Sequence, residues 1–524
     1  MAIETVRLGP VSRISDDMNV QVAIDAGKVV DAHVAGTVAR GFEVILRGKD
    51  PRDAVILSQR ICGVCPAPHA VASALALDDL TDASIPRPAR LVRNLILGAS
   101  HLASHIVSFY LATLQDYIDP TAVAAYGGDD ERLQLVARKV GALLGTGDGA
   151  PFTPRYASDE SCLKDPNSVA GLLANYFDAL LAKRKAETMT AIFAGRHPHI
   201  CSVVPGGVTI PVTESQITQF QYALQELGDW IERVMLPDAQ ALAAGPAKPL
   251  AGNGFGVGHS NFLSYGAFDL ITSGDYKNRL LPSGVIVGAD VANWGRATVQ
   301  DLDPAKIAES LRFGWYTDAY EGKSPRKSIT EFSPGKANAY TFAKAPRYDG
   351  KPMEVGPLAR MMVKKDSGFQ RLVRKAGVTT QSVPARLLAR AYEAKLIARA
   401  MVGWLDSLLK AIADREDICD EKPFPDTGEA AGLLDAPRGA LGHWITLDAG
   451  IIDTYQVVSP STWNASPRDP SLVRGPIEEA LVGTPVPDAA NPLNVLRVVR
   501  SFDPCLTCAV HVLDGSGRSL TRIG

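Results

Sequence analysis

Apolar and polar positions along the chain sort into a few distinct patterns. Near the amino terminus Val20, Val22 and Ile24 alternate with polar or small residues, Asp25-Ala26-Gly27 supplies a turn, and Val30, Ala32 and Val34 alternate again. A period of two on both sides of a turn predicts a β-hairpin. From about Pro88 to Leu114 the period lengthens, and Leu91, Leu95, Leu102, Ile106 and Phe109 share one face of a predicted long helix. Thr213-Glu214-Ser215-Gln216 has the form of a capping box, after which Ile217, Phe220, Leu224, Leu227, Ile231 and Val234 recur at helical spacing until Pro237. A further helix is predicted from about Pro384 to Leu409, with Leu388, Tyr392 and Leu396 four residues apart. Residues 195–209 read as a loop before a short apolar run, 260–360 as loop-rich and mixed, and 512–524 as strand and turn. The expected fold class is α+β, mainly α: one large unit of long core helices, with small β elements near the termini.

Composition narrows the partners. The chain has 524 residues and a formal charge of −3, which provides no basic field for nucleic acid or an anionic membrane. No nucleic-acid partner is expected, and a membrane is reached only indirectly, through partner subunits. Residues 1–10 carry no basic stretch leading into an apolar run, so no secretory signal is expected, and no segment is expected to span a membrane. The glycine-rich stretch 252–258 invites a nucleotide-loop reading, but no buried strand precedes it and no helical pattern follows; it is read as a flexible loop.

The chemistry lies in the cysteines. Four of the seven form two Cys-x-x-Cys pairs near opposite ends of the chain: Arg60-Ile61-Cys62-Gly63-Val64-Cys65-Pro66-Ala67-Pro68-His69 and Asp503-Pro504-Cys505-Leu506-Thr507-Cys508-Ala509-Val510-His511. This spacing lets two thiolates converge on one metal, and soft sulfur favours zinc, iron or nickel over magnesium or calcium. Spacing alone fits a zinc site or an iron-sulfur cluster about equally. Nearly the whole chain separates the pairs, which suits a reaction centre better than a local staple. Cys162, Cys201 and Cys419 are scattered and read as inert thiols. No third cysteine cluster exists, so electrons from a redox-active site must leave through another polypeptide.

With the histidine that follows the first pair and the Asp-Pro and His that flank the second, these motifs closely resemble the signatures of the large, catalytic subunit of nickel-iron hydrogenases. The resemblance extends to Arg40-Gly41-Phe42-Glu43, to 195–209, to 345–360, to Leu434-Asp435-Ala436-Pro437-Arg438-Gly439-Ala440-Leu441-Gly442-His443-Trp444 and to 457–464. It implies a nickel-iron centre with one carbon monoxide and two cyanides on iron. Cys62 and Cys505 are the implied terminal nickel ligands, and Cys65 and Cys508 the implied bridges. It also implies a canopy of Arg438, Asp116, Asp503 and Pro437 over the metals, a Ser461 hydroxyl on one cyanide, and His69 tuning a cysteine sulfur. A magnesium ion on Glu43, Val457 and His511 completes the set. Taken alone, Glu43 reads as a surface carboxylate, Asp116 as a helix end or solvated turn, and Ser461 as a loop serine.

By the same resemblance the chain oxidises dihydrogen and passes electrons to an iron-sulfur small subunit, in a heterodimer or higher assembly. Maturation chaperones and an endopeptidase that removes 512–524 are implied, leaving a catalytic unit of 1–511. The implied location is cytoplasmic, or membrane-associated or periplasmic by co-export with the small subunit. One departure stands out: the family has Arg-Ile-Glu-Gly-His where this chain reads Arg13-Ile14-Ser15-Asp16-Asp17, so a serine replaces the carboxylate that relays protons. Competing readings are a hydrogen sensor of low turnover, the quinone-site subunit of respiratory complex I, which lacks the four ligands, and a zinc-stabilised structural protein.

Overall fold

The amino-terminal sheet is bonded to residues from far along the chain, Val29 N–H to the Thr484 carbonyl and Val34 N–H to the Glu478 carboxylate. The computed structural model describes residues 3–9, 11–13, 18–147, 149–152, 158–251, 255–289 and 296–506. Strand β1 (Glu4–Leu8) lies antiparallel to β2 (Met18–Asp25), which forms the predicted hairpin with β3 (Lys28–Gly36). The alternation departs from expectation at one point. Ala23 pairs with Asp31 but Ile24 with Val29, so Val30 is the extra residue of a bulge; it is 41% exposed while Val29 is buried.

The helices of the first half are α1 (Pro66–Thr81), α2 (Arg87–Ile106), α3 (Pro166–Ala194), α4 (Glu214–Trp230) and α5 (Leu236–Ala244). The stripe predicted for α2 is present, and every residue from Pro88 to Ile106 is buried. The rod continues through a π turn, Val107–Thr113, and a short 3-10 turn that ends at Asp116. Contrary to expectation, Arg87–Asp116 is long and apolar enough to cross a membrane; 89% of its apolar window is instead buried inside this chain. The capping box of α4 is formed, with Thr213 Oγ1 accepting from Gln216 N–H and the Gln216 side chain accepting from Thr213 N–H. Pro237 does not end that rod. Ile231–Met235 widen into a π turn, Leu236 N–H reaches back five residues to the Ile231 carbonyl, and the rod resumes as α5 with Pro237 in its first turn.

The second half adds α6 (Pro357–Lys364) and α7 (Val383–Ala413), which outruns its predicted end at Leu409. A three-stranded antiparallel sheet follows, β4 (Gly428–Ala436), β5 (Gly439–Asp448) and β6 (Ile451–Val458), and then α8 (Leu493–Ser501). No alternation marks this sheet in the sequence, because nearly all of β4 and β5 is buried on both faces. The sheet packs on α1, and so closely that a Cβ on Gly432 would lie 1.9 Å from the Ala72 carbonyl oxygen. The glycine-loop residues 252–254, Ser15 and Asp16, and everything from Thr507 onward lie outside the described residues.

Gly432→Ala is expected to push β4 off α1 and cost about 1–3 kcal/mol or more, read as a lower thermal denaturation midpoint; an unchanged midpoint would mean that the two elements are not in this contact.

Candidate metal centre

The first cysteine pair sits where a turn enters a helix. Cys62 is extended and Cys65 is the N-cap of α1, with Pro66 in its first turn. The Val64 and Cys65 N–H groups both donate to Cys62 Sγ, at 3.3 and 3.2 Å. Two amides aimed at one sulfur, beside a helix N-terminus, favour the thiolate over the thiol.

The second pair follows α8. Asp503 adopts a left-handed conformation (φ 56°), which an aspartate tolerates, and this turns Pro504-Cys505 back into the core. Segments from elsewhere fasten the turn: Ser12 Oγ donates to the Pro504 carbonyl (3.1 Å), Arg500 Nε to the Val11 carbonyl (3.0 Å), and Cys505 N–H to Ser461 Oγ (2.9 Å). Ser461 is not a loop residue but lies in the short helix Pro460–Asn464. Its hydroxyl accepts from Cys505 and keeps its own hydrogen to donate.

Cys62, Cys65 and Cys505 form one buried cluster, with Cys62 and Cys505 Sγ 3.7 Å apart. A disulfide would need about 2.05 Å. Two thiolates bound tetrahedrally to one metal at about 2.3 Å would lie roughly 3.7 Å apart, so the residues present fit a shared metal. Among the described residues the three sulfurs cluster without three ligating side chains surrounding one metal position, and the fourth cysteine, Cys508, is not one of those residues. Cys162, Cys201 and Cys419 lie outside the cluster; burial pushes the Cys162 thiol up to about 11.

Above the sulfurs lies the tip of the β4–β5 hairpin. Pro437 and Arg438 are its two turn residues, and Arg438 is buried. Arg438 Nε donates to the Asp503 carbonyl (2.9 Å) and approaches its Oδ2 (3.2 Å), while Nη2 reaches Oδ1 (3.3 Å). Burial opposes the charge, but Asp503 and the thiolates of Cys505, Cys65 and Cys62 outweigh it and hold the guanidinium well above its ordinary range. Arg438 Nη1 is buried with no partner among the described residues. Asp116 is fully buried, not solvated. Its carboxylate meets Arg500 (2.7 Å) and Arg13 (2.8 Å), not Arg438; burial pushes it up, and the two cations outweigh burial and hold it below the usual range. Asp116 is thus tied to the second pair through α8.

His69, on α1, starts a buried chain: Nδ1 lies 3.0 Å from His443 Nε2, His443 Nδ1 lies 2.7 Å from Tyr455 Oη, and Tyr455 donates to Ser73 Oγ at 3.0 Å. Burial lowers His69 to about 4, against the pull of Cys62. The partner's donor pattern fixes which His69 nitrogen carries the proton. His443 stands inside the 434–444 motif, yet sequence reading gave it no role.

Glu43 is buried, not a surface group. It receives Val457 N–H at 2.9 Å, the Lys344 ammonium at 3.2 and 3.3 Å, and the Thr330 hydroxyl. Glu309 lies beside it, 3.6 Å from Lys344, with both oxygens buried and without a hydrogen-bond partner among the described residues; burial pushes it up to about 7 against the pull of Lys344. A buried carboxylate without donors fits a nearby hard cation or its waters. Lys344, Glu309 and Thr330 were missed, since nothing local in the sequence links them to Glu43.

A family model described as nickel-dependent hydrogenase matches residues 40–511. The periplasmic [NiFeSe] hydrogenase large subunit of Desulfomicrobium baculatum is 35% identical, with 97% of this chain and 95% of that protein covered. The uptake hydrogenase large subunit of Rhizobium leguminosarum bv. viciae is 31% identical, covering 98% and 96%. The solved Ni-Fe-Se hydrogenase of D. vulgaris Hildenborough in the reduced state superposes with a TM-score of 0.85 at 36% identity, over 97% of this chain and all of that one.

Ser461→Ala leaves the Cys505 N–H buried and unpaired, at an expected cost of about 1–3 kcal/mol, and Ser461→Thr should retain most of it; equal thermal midpoints for the two variants would remove this hydroxyl from the support of Cys505.

Proposed function

The chain belongs to the nickel-dependent hydrogenases, as a catalytic large subunit, and from that premise we propose that it cleaves dihydrogen heterolytically in the uptake direction and passes the electrons to an iron-sulfur small subunit. One observation carries the reading: Cys62 Sγ and Cys505 Sγ, from opposite ends of the chain, lie at the separation that a shared metal requires. The family implies a nickel-iron centre, which supplies a Lewis acid that polarises the H–H bond.

Cys62 and Cys505 would hold nickel, and Cys65 and Cys508 would bridge it to iron. Two sulfurs would leave iron to be completed by non-protein ligands, in the family one carbon monoxide and two cyanides. The unpartnered Arg438 Nη1 and the hydrogen left on Ser461 are donors of the kind such anionic ligands accept. Cys505 Sγ takes the first proton. Asp503 fixes Arg438, Arg500 and Arg13 fix Asp116, and the burial of Arg438, Asp503, Asp116 and Arg500 keeps water from these charges. His69, oriented by His443, tunes a cysteine sulfur. Glu43, Val457 and His511 would hold magnesium, with Glu309 close enough to bind its waters.

Export together with the small subunit is supported by the relative named as periplasmic, and the uptake direction by the one named as an uptake hydrogenase. Neither of those two names favours a sensor. The family match ends at residue 511, which supports removal of 512–524 by an endopeptidase after chaperone-assisted metal insertion. All four residues of the two pairs are cysteine, so selenium, named in two of the relatives, is not required at them.

Anaerobically purified complex, co-expressed with its small subunit and maturation proteins, is expected to show one carbonyl and two cyanide bands in the infrared and a mature mass ending at His511. Cys505→Ala should lose bound nickel. An empty infrared window in processed, metal-loaded protein would overturn the assignment.

A further inference from the structure

Arg360, on α6, is wholly buried and uses all five of its N–H donors. Nε and Nη2 form a fork on Glu393, at 2.7 and 2.6 Å. Nη1 reaches Asp435 Oδ2 (3.3 Å) and the Ala436 carbonyl (3.0 Å), and Nη2 also reaches the Pro437 carbonyl (2.8 Å). The last two acceptors belong to the two residues immediately before Arg438. A planar guanidinium can serve a carboxylate with one edge and two carbonyls with the other; a lysine, with three donors on one atom, cannot.

The acceptors are held from behind. Glu393 also takes His105 Nε2 (2.9 Å), and Asp435 takes the Ser264 hydroxyl and the Tyr265 N–H, each at 3.0 Å. On its other side the hairpin tip rests on bare backbone: a Cβ on Gly356 would lie 3.0 Å from the Arg438 carbonyl oxygen, and one on Gly439 would lie 2.6 Å from Gly356 N. Both glycines have φ near +125°, where an L side chain is strained. The tip is gripped on both sides, and Arg360 is the side chain that bonds its two leading carbonyls.

We propose that Arg360 is the positioning residue for Arg438. By fixing the Ala436 and Pro437 carbonyls it sets the direction in which Arg438 projects over the cysteine cluster. The proposal rests on the reading of Arg438 as part of the canopy.

The test uses the assembled, metal-loaded complex with Arg360→Lys, Arg438→Ala and the double variant, plus Glu393→Gln. Arg360→Lys keeps a cation beside Glu393 and should lower kcat about 100-fold with KM for dihydrogen and nickel content unchanged. Amide hydrogen exchange at 436–440 should accelerate, while α2 and α7 stay protected. The double variant should be no slower than Arg438→Ala alone, because Arg360 acts only through Arg438. Losses that multiply in the double variant, or unchanged exchange at the tip, would overturn the proposal. If Arg360→Lys yields no folded complex, Glu393→Gln, which loosens the fork without removing Arg360, should show the same pattern in weaker form; unchanged exchange at the tip there overturns it equally. Full activity in Arg438→Ala would instead sink the canopy reading, and the exchange data would still decide the clamp.

Discussion

The meeting of Cys62 and Cys505, 443 residues apart in sequence, is the constraint on which the rest of the molecule turns. Closing a flexible loop of that length costs about 5 kcal/mol in chain entropy, from the logarithmic dependence on length. No single contact at the site offsets that. The scaffold does, because each sulfur sits on an element already fixed by burial elsewhere: Cys65 at the head of α1, packed under β4, and Cys505 just past α8, held by Ser12, Val11 and Ser461. The contacts that bring the two sulfurs together are those of the protein core itself.

Charge imposes the second condition. The interior holds Arg438 with Asp503, Asp116 with two arginines, Arg360 with Glu393 and Asp435, and Lys344 with Glu43 and Glu309, nearly all of them buried. A buried charge without a partner costs several kcal/mol, so these groups can only exist as a matched set. The pairings couple the hairpin tip, α7 and α8 into one unit. Arginine dominates because its fork satisfies carboxylates and carbonyls at once, which a mobile ammonium does not.

The long helices were legible because their apolar residues repeat over many turns, and the amino-terminal hairpin because its alternation is regular; only the bulge that exposes Val30 was hidden, since a one-residue slip leaves no trace in composition. The β4–β6 sheet was illegible for the opposite reason: both of its faces are covered, so period-two contrast vanishes. At the site, Cys62, Cys65 and Cys505 were named from their own spacing, whereas Arg438 and Ser461 were named only through the family resemblance, Ser461 alone reading as a loop serine. Asp116 and Glu43 read as surface groups when taken alone, because a carboxylate's burial depends on distant partners such as Arg500 and Lys344. His443 and Arg360 lay inside stretches that match the family, yet their roles are relational: each acts on a neighbour brought close only by the fold.

The same electrostatics sort the groups that could take a proton. Arg438 cannot, because Asp503 and the thiolates hold its charge firmly despite burial. Asp116 is a weak base, since Arg500 and Arg13 keep it ionised against burial that would otherwise favour its acid. His69 is buried, its proton affinity is lowered, and its Nδ1 is committed to His443. A sulfur is different: Cys505 is anchored through its amide by Ser461, and its Sγ lies 3.7 Å from Cys62 Sγ. In the proposed reaction the canopy would therefore hold charge and geometry still while a proton reaches sulfur, a task that a rigid hairpin tip serves better than a mobile loop would.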